Sequence, residues 1–335
     1  MSYVLMTLVA LLCACAFYTL WRASQITRKL KPDGRFMVID GVRLHYHFYP
    51  VALDNQDAPV LTFLHGASGN AYDTRLAFLG TLRGKYPLLF IDRPGLGFSE
   101  RQRKGHVTPR EQARVIAGLL KKLEVTNAVV VGHSLGGSVA AALGLVAPDR
   151  VKGLAFLAPV SHPWPGGVNW YYSLASMPLI GRLFCWTLTL PIAERLASCA
   201  ITSVFSPDQP PENYLSDTRV PLLFRPEAFR ANALTITRLK QAVTEQSKDY
   251  ATLVQPTLIV TGTQDSVVWP SIHCEGLLTS LPDAELMVLD RAGHMPHHTH
   301  TQKIVQGLER LMCRVETQVE YDQRSVGRQR AMEHA

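Results

Sequence analysis

The run Asn127-Ala128-Val129-Val130-Val131-Gly132-His133-Ser134-Leu135-Gly136-Gly137 decides how the rest of the chain is read. Its β-branched first half predicts a buried strand, and the small apolar residues from Ser138 to Ala147 predict a helix directly after it. A strand that becomes a helix within one residue strains the backbone of that residue, so glycines are needed where a Cβ would clash. The turn lifts the Ser134 hydroxyl above the sheet edge and points the free N–H groups of the helix start at any negative charge forming there. A chance Gly-x-Ser-x-Gly match is the competing reading, and the strand before and helix after weigh against it.

Serine at its ordinary pKa is a poor nucleophile; a base must take its proton, and a carboxylate must fix the tautomer of that base. Asp265 lies in the loop Thr261-Gly262-Thr263-Gln264-Asp265 after an apolar strand, and His294 follows the next strand in Gly293-His294-Met295-Pro296. The order Ser, Asp, His suits one sheet edge carrying all three. An ordinary loop carboxylate and a surface histidine are the alternatives. An oxyanion needs donors already in place. The Leu135 N–H is one, and Ala67 in His65-Gly66-Ala67-Ser68-Gly69 is the candidate for the other. Ser68 adds a hydroxyl, and His65 reads as packing under the loop. In Asp92-Arg93-Pro94-Gly95-Leu96-Gly97-Phe98-Ser99 the first two residues read as internal partners, and Phe98 as pocket lining. His297, His298 and His300 raise a metal question, but no matched acidic or cysteine ligand accompanies them in sequence, so no metal is expected.

Around this centre, strands are expected at 36–40, 42–48, 59–64, 87–91, 127–131, 153–158, 256–261 and 284–289, the first two turned into a hairpin at Asp40-Gly41. Helical periods at about 72–83, 108–123, 135–146, 271–280 and 298–313 alternate with the later strands, the pattern of a mostly parallel sheet covered by helices. Between Pro159 and Gln255 the alternation stops, and a segment rich in Trp, Tyr, Leu and Pro reads as an inserted cap over about 160–250. Trp170 to Ile192 contains one charge, Arg182, but Pro178, Gly181 and Pro191 predict broken helices. A span there would also put Ser134 and His294 on opposite sides of a bilayer, which one sheet cannot straddle. Trp164 and Trp170 are candidate pocket residues for an apolar substrate; the alternative is that the cap aromatics pack the lid helices together.

With 47% hydrophobic and 18% charged residues, the composition is that of a globular protein with one unusually apolar piece. Much of the excess lies in residues 1–23, where no charge precedes Arg22. This length suits a single-pass membrane anchor, and the basic residues Arg22, Arg28, Lys29, Lys31 and Arg35 place the downstream domain in the cytoplasm. Export after signal-peptide cleavage near Ala14-Cys15-Ala16 is the alternative. Residues 24–35 read as a polar linker, 36–313 as the main domain, and 314–335 as a charged tail, frayed or disordered. The net charge of +7 is spread along the chain without interleaved aromatics, which argues against nucleic acid. Six cysteines without CxxC spacing indicate neither a disulfide framework nor a zinc site. Oligomeric state is not legible.

Taken together, the Ser134 turn, the His65-Gly66 loop, the Asp92 to Ser99 turn and the cap after the sixth strand resemble the α/β-hydrolase superfamily over roughly residues 36–313. The resemblance implies an eight-stranded, mostly parallel sheet with an inserted helical cap, and a metal-free, cofactor-free mechanism on Ser134, Asp265 and His294. Serine at the turn sets the chain apart from the haloalkane dehalogenase and epoxide hydrolase branches, which use aspartate there. The expected substrate is a lipophilic ester. Carbon–carbon bond hydrolysis with the same three residues, and a non-catalytic binding protein on this fold, are the alternatives.

Overall fold

A computed structural model describes residues 2–51, 58–101 and 105–333, without the side chains of Ser2 and of residues 320–333. One sheet holds β1 (Arg35–Ile39), β2 (Val42–Tyr49), β3 (Val60–Leu64), β4 (Leu88–Ile91), β5 (Ala128–His133), β6 (Val151–Leu157), β7 (Thr257–Gly262) and β8 (Ala284–Leu289). The strand order is β1-β2-β4-β3-β5-β6-β7-β8. The β1/β2 and β2/β4 pairs are antiparallel, and every other pair is parallel. Each strand falls within a residue or two of its expected bounds, because β3, β5 and β7 are buried along their whole length and are therefore mostly apolar and β-branched.

Helices cover both faces. Against one face pack α3 (Pro109–Lys122), α4 (Leu135–Val146) and α10 (Pro270–Ser280), through Ile116, Val139 and Leu277. Against the other pack α2 (Ala71–Leu82) and the C-terminal helix, through Phe78 and Leu308. The parallel strands end on one edge, so the loops after β3, β4, β5, β7 and β8 gather there.

The cap leaves the sheet after β6 and returns at β7. It comprises α5 (Trp170–Ser176), α6 (Ile180–Phe184), a π-helical turn (Cys185–Thr189), α7 (Leu190–Phe205), α8 (Tyr214–Asp217) and α9 (Pro226–Gln246). The chain breaks at Met177-Pro178, but the expected break at Pro191 is absent: helix runs on from Ile180 to Phe205. Proline lacks an N–H and its ring displaces the carbonyl four residues back, here that of Thr187. The π turn opens at this point, and the Thr187 carbonyl accepts the Thr19 hydroxyl at 3.3 Å instead.

Thr19 belongs to α1 (Ser2–Lys29), so the first half of the expected 24–35 linker is helical. Burial of Ile26 among Leu190, Ala197, Leu222 and Phe224, with the Arg22–Glu194 ion pair, outweighs the polarity of the segment. At the other end, α11 (Pro296–Thr299) leads into α12 (Thr301–Glu333), which continues past the expected boundary at 313. Val315 is fully buried and Val319 packs beside it, while Arg314 pairs with Asp283 and Glu285. Residues 334–335 of the expected tail lie outside the described residues.

A Cβ on Gly136 would lie 2.2 Å from the Leu64 carbonyl oxygen. Helix propensity alone predicts that Gly136→Ala gains about 1 kcal/mol, whereas this backbone contact predicts a loss of about 2 kcal/mol or more. Urea denaturation of the variant is expected to show the loss.

Candidate active site

Ser134 occupies φ 52°, ψ −120° between β5 and α4. Its N–H donates to the Leu157 carbonyl at 3.0 Å, and its own carbonyl accepts from Gly137 at 2.9 Å and Val160 at 3.0 Å, so β6 and α4 together hold the turn. The three residues expected at the sheet edge converge. His294 Nε2 lies 3.0 Å from Ser134 Oγ, and His294 Nδ1 lies 2.8 Å from Asp265 Oδ2. Asp265 Oδ1 accepts the N–H groups of Val267 and Val268, each at 2.9 Å. A carboxylate only accepts, so Nδ1 of His294 carries the proton and Nε2 turns its lone pair toward the Ser134 hydroxyl. All three side chains are buried.

Leu135 opens α4, where the first amides lack an intrahelical acceptor. Across from it the Gly66 backbone passes Ser134 so closely that an added Cβ would come within 3.2 Å of the Ser134 Cβ. The direction of this loop is set from beneath by Arg93. Its guanidinium, almost wholly buried, donates to the His65 carbonyl at 2.9 Å, the Gly66 carbonyl at 2.8 Å and Gln112 Oε1 at 3.0 Å. In a trans peptide the carbonyl and the following N–H point opposite ways. Tying down the Gly66 oxygen therefore turns the Ala67 N–H away from Arg93. His65 completes the support, accepting the Arg93 N–H at Nε2 (3.0 Å) and donating from Nδ1 to the Gly66 carbonyl (2.9 Å). Burial pulls the Arg93 pKa down to about 9 and that of His65 to about 3. Asp92 accepts from Ala71, Phe98 and His45, the internal role read from sequence.

The pocket expectations divide. Ser68 stays at the site: its N–H donates to Asn232 Oδ1 and its Oγ accepts from Asn232 Nδ2, both at 2.9 Å, while the Tyr172 hydroxyl lies 3.3 Å away. Trp164 is half-buried, its ring 6.0 Å from that of His273. Phe98 instead packs edge-on to His45 and against the cluster joining α1 to the cap, since the turn that carries it faces that way. Trp170 is 71% exposed on the outer surface of α5 and does not line an interior. Asn232 escapes sequence reasoning; its only signal is one amide between Ala231 and Ala233 on the buried face of α9.

The histidine-rich segment also gains a partner invisible in sequence. Asp73 of α2 receives His297 Nε2 at 3.2 Å, His298 Nε2 at 2.8 Å and the Tyr214 hydroxyl at 2.7 Å. Burial alone would raise the Asp73 pKa, but the two imidazoles hold it well below the usual carboxylate range. The Asp73, His297 and His298 donor atoms are close enough to ligate a cation, as are those of Asp33, His45 and His47. In the first group each carboxylate oxygen is engaged by an imidazole; in the second both His45 nitrogens are engaged, by Asp92 and by the Gly34 N–H. His300 Nδ1 lies outside both, 2.9 Å from Thr299 Oγ1. His133 ties the base to the turn, donating from Nε2 to the His294 carbonyl at 2.9 Å, with its ring 4.3 Å from that of His297.

The profile of the Alpha/beta hydrolase family matches residues 63–306. An uncharacterized hydrolase, YugF of Bacillus subtilis, is 34% identical over 139 residues, 40% of this chain and 49% of that protein, so the chain spans about half of this relative's length. The 2-hydroxymuconate semialdehyde hydrolase of Pseudomonas putida is 26% identical over 288 residues, 84% of this chain and 94% of that one. The crystal structure of the enol-lactonase from Burkholderia xenovorans LB400 superposes with a TM-score of 0.66 at 18% identity, over 83% of this chain and 100% of that one, a likeness of fold.

His65, His133 and His297 are buried and held neutral, His65 at about 3, His297 at about 4 and His133 well below the ordinary value, burial being the main cause in each. Below the unfolded value of about 6.5 the unfolded chain takes up protons that the folded chain refuses. Stability is therefore whole above that pH and is lost as the pH falls toward 4, by about 1.4 kcal/mol per pH unit for each such histidine. Urea midpoints at pH 7, 6 and 5 are expected to fall, and less steeply in His297→Asn; a flat profile would contradict the assignment.

Proposed function

Since the chain belongs to the alpha/beta hydrolase family, we propose that it is a serine hydrolase that cleaves carboxylic esters of apolar or lipid-like acyl groups through an acyl-enzyme on Ser134. The observation that carries this reading is the unbroken series Asp265–His294–Ser134, with contacts of 2.8 and 3.0 Å. His294 Nε2 takes the Ser134 proton as Oγ attacks the ester carbonyl; Asp265 holds the imidazolium that results. The Ala67 and Leu135 N–H groups receive the oxyanion. His294 then returns the proton to the leaving alkoxide, and water activated by the same imidazole releases the acyl group. The buried location of the three residues favours apolar acyl chains.

A second reading, hydrolysis of a carbon–carbon bond in a diketone by the same residues, is favoured by the likeness to 2-hydroxymuconate semialdehyde hydrolase over most of both chains. For α1 we propose a single membrane pass with the hydrolase domain on the cytoplasmic side. The helix continues unbroken through Ala14-Cys15-Ala16 to Lys29, which supports an anchor over a cleaved signal peptide.

Fluorophosphonate labelling of the wild type beside Ser134→Ala, with nitrophenyl esters of increasing chain length, tests the reading. Ser134→Ala is expected to lose labelling and to lower kcat by roughly 10⁴-fold or more, and Asp265→Asn by about 10³ to 10⁴-fold. Rapid turnover of a diketone with negligible ester turnover would favour the second reading.

A further inference from the structure

The uncharged stretch of α1, from Ser2 to Trp21, has the length of roughly 20 residues that crosses a bilayer core. Its first turns, Tyr3 to Leu11, are exposed on every side. Its last turns are not free. Thr19 is fully buried against the π turn of the cap, the Tyr18 hydroxyl donates to Glu194 at 2.7 Å, and Arg22 Nε donates to Glu194 at 3.0 Å. A bilayer that accommodates the whole uncharged stretch must therefore reach the cap.

The face of the cap beside this contact is suited to that position. Leu179, Ile180, Leu183 and Leu196 are 78, 61, 56 and 56% exposed, and Ile192 and Trp170 are exposed with them. From Ile180 to Phe205 the only charged residues are Arg182, Glu194 and Arg195, and Glu194 is paired with Arg22. A helix facing water carries charge on its outer side, as α3 does with Arg114, Lys121 and Lys122. This segment is not a second span, because β6 before it and β7 after it pair in one sheet.

We propose that the outer face of α5, α6 and α7 is a lipid-embedded surface, sunk beside α1 into the acyl-chain level of a bilayer, so that substrate reaches Ser134 from the lipid. The route is short: α5 carries Trp170 on the outer surface and Tyr172 beside Ser68. Arg28, Lys29 and Lys31 follow the uncharged stretch, and Arg182 and Arg195 stand exposed on the cap, a set of cations suited to lipid phosphates. A second copy meeting this face about a twofold axis would bring like charges together, so lipid is the fitting occupant. The delivery of substrate rests on the hydrolase reading; the lipid contact does not.

The test uses the full chain in phosphatidylcholine and phosphatidylglycerol vesicles with brominated acyl chains, which quench tryptophan at acyl-chain depth. Trp170→Phe is expected to remove part of the quenched emission. The double variant Leu183→Asp, Leu196→Asp is expected to slow turnover of a vesicle-embedded long-chain ester by roughly tenfold or more while leaving soluble nitrophenyl acetate within about twofold, the size of effect that about 1.4 kcal/mol of lost embedding produces. Unchanged quenching in Trp170→Phe overturns the proposal. So does a dimer that the double variant splits without altering vesicle turnover. If neither ester is turned over, the hydrolase reading fails and the quenching still decides the lipid face.

Discussion

A serine held at φ 52° costs about 1 to 3 kcal/mol of backbone strain, and such a residue persists only where its surroundings leave it no alternative. Here the constraint comes from both sides of the turn. β5 lies between β3 and β6 with its register fixed by both, and α4 is fully buried over its first ten residues, so neither element can shift to relax Ser134. The strain raises Oγ off the sheet, and every other feature of the site is placed relative to that point. Asp265 and His294 need only leave the ends of β7 and β8, the next strands along the same edge after β6, to reach it.

Beneath the site the same economy of position is achieved by a buried cation. Arg93 has no carboxylate partner among the described residues; its charge is spread over the carbonyls of His65 and Gly66 and the Gln112 amide. Burying a guanidinium without a counter-ion is costly unless its donors are satisfied. What the arrangement secures is direction, because the peptide whose oxygen Arg93 holds is the one whose N–H belongs to Ala67. Above the loop, Asn232 grips Ser68 with both its amide atoms. The loop is thus fixed from the sheet and from the cap at once, which couples any movement of the cap to the geometry around Ser134.

The sequence made the sheet legible because its central strands are buried along their whole length and are mostly apolar, with only Thr62, His133, Thr257 and Thr261 as polar members. Ser134 and Asp265 were legible because each follows such a strand, and His294 because it follows β8, an edge strand only half-buried but still rich in Leu, Met and Val. What could not be read were contacts between residues far apart in the chain that obey no local pattern. Asp73 lies 224 residues from His297, and nothing near either of them announces the pair. Trp170 was misplaced for a related reason: aromatic content marks a cap but does not say which way a ring faces, and the seven-residue α5 puts Trp170 outside and Tyr172 within.

The same limit explains the helix that ran through Pro191. Proline is read as a break because its own helix cannot satisfy the carbonyl it displaces, but that argument assumes no acceptor's partner arrives from elsewhere. Thr19 supplies the missing donor from α1, 168 residues away, and the burial of that hydrogen bond keeps competing water from it. The proline and the π turn thus form the socket into which α1 fits. A segment that sequence alone presents as a separate anchor is by this contact a structural part of the cap, and the orientation of the cap over Ser134 is tied to the helix that leads away from it.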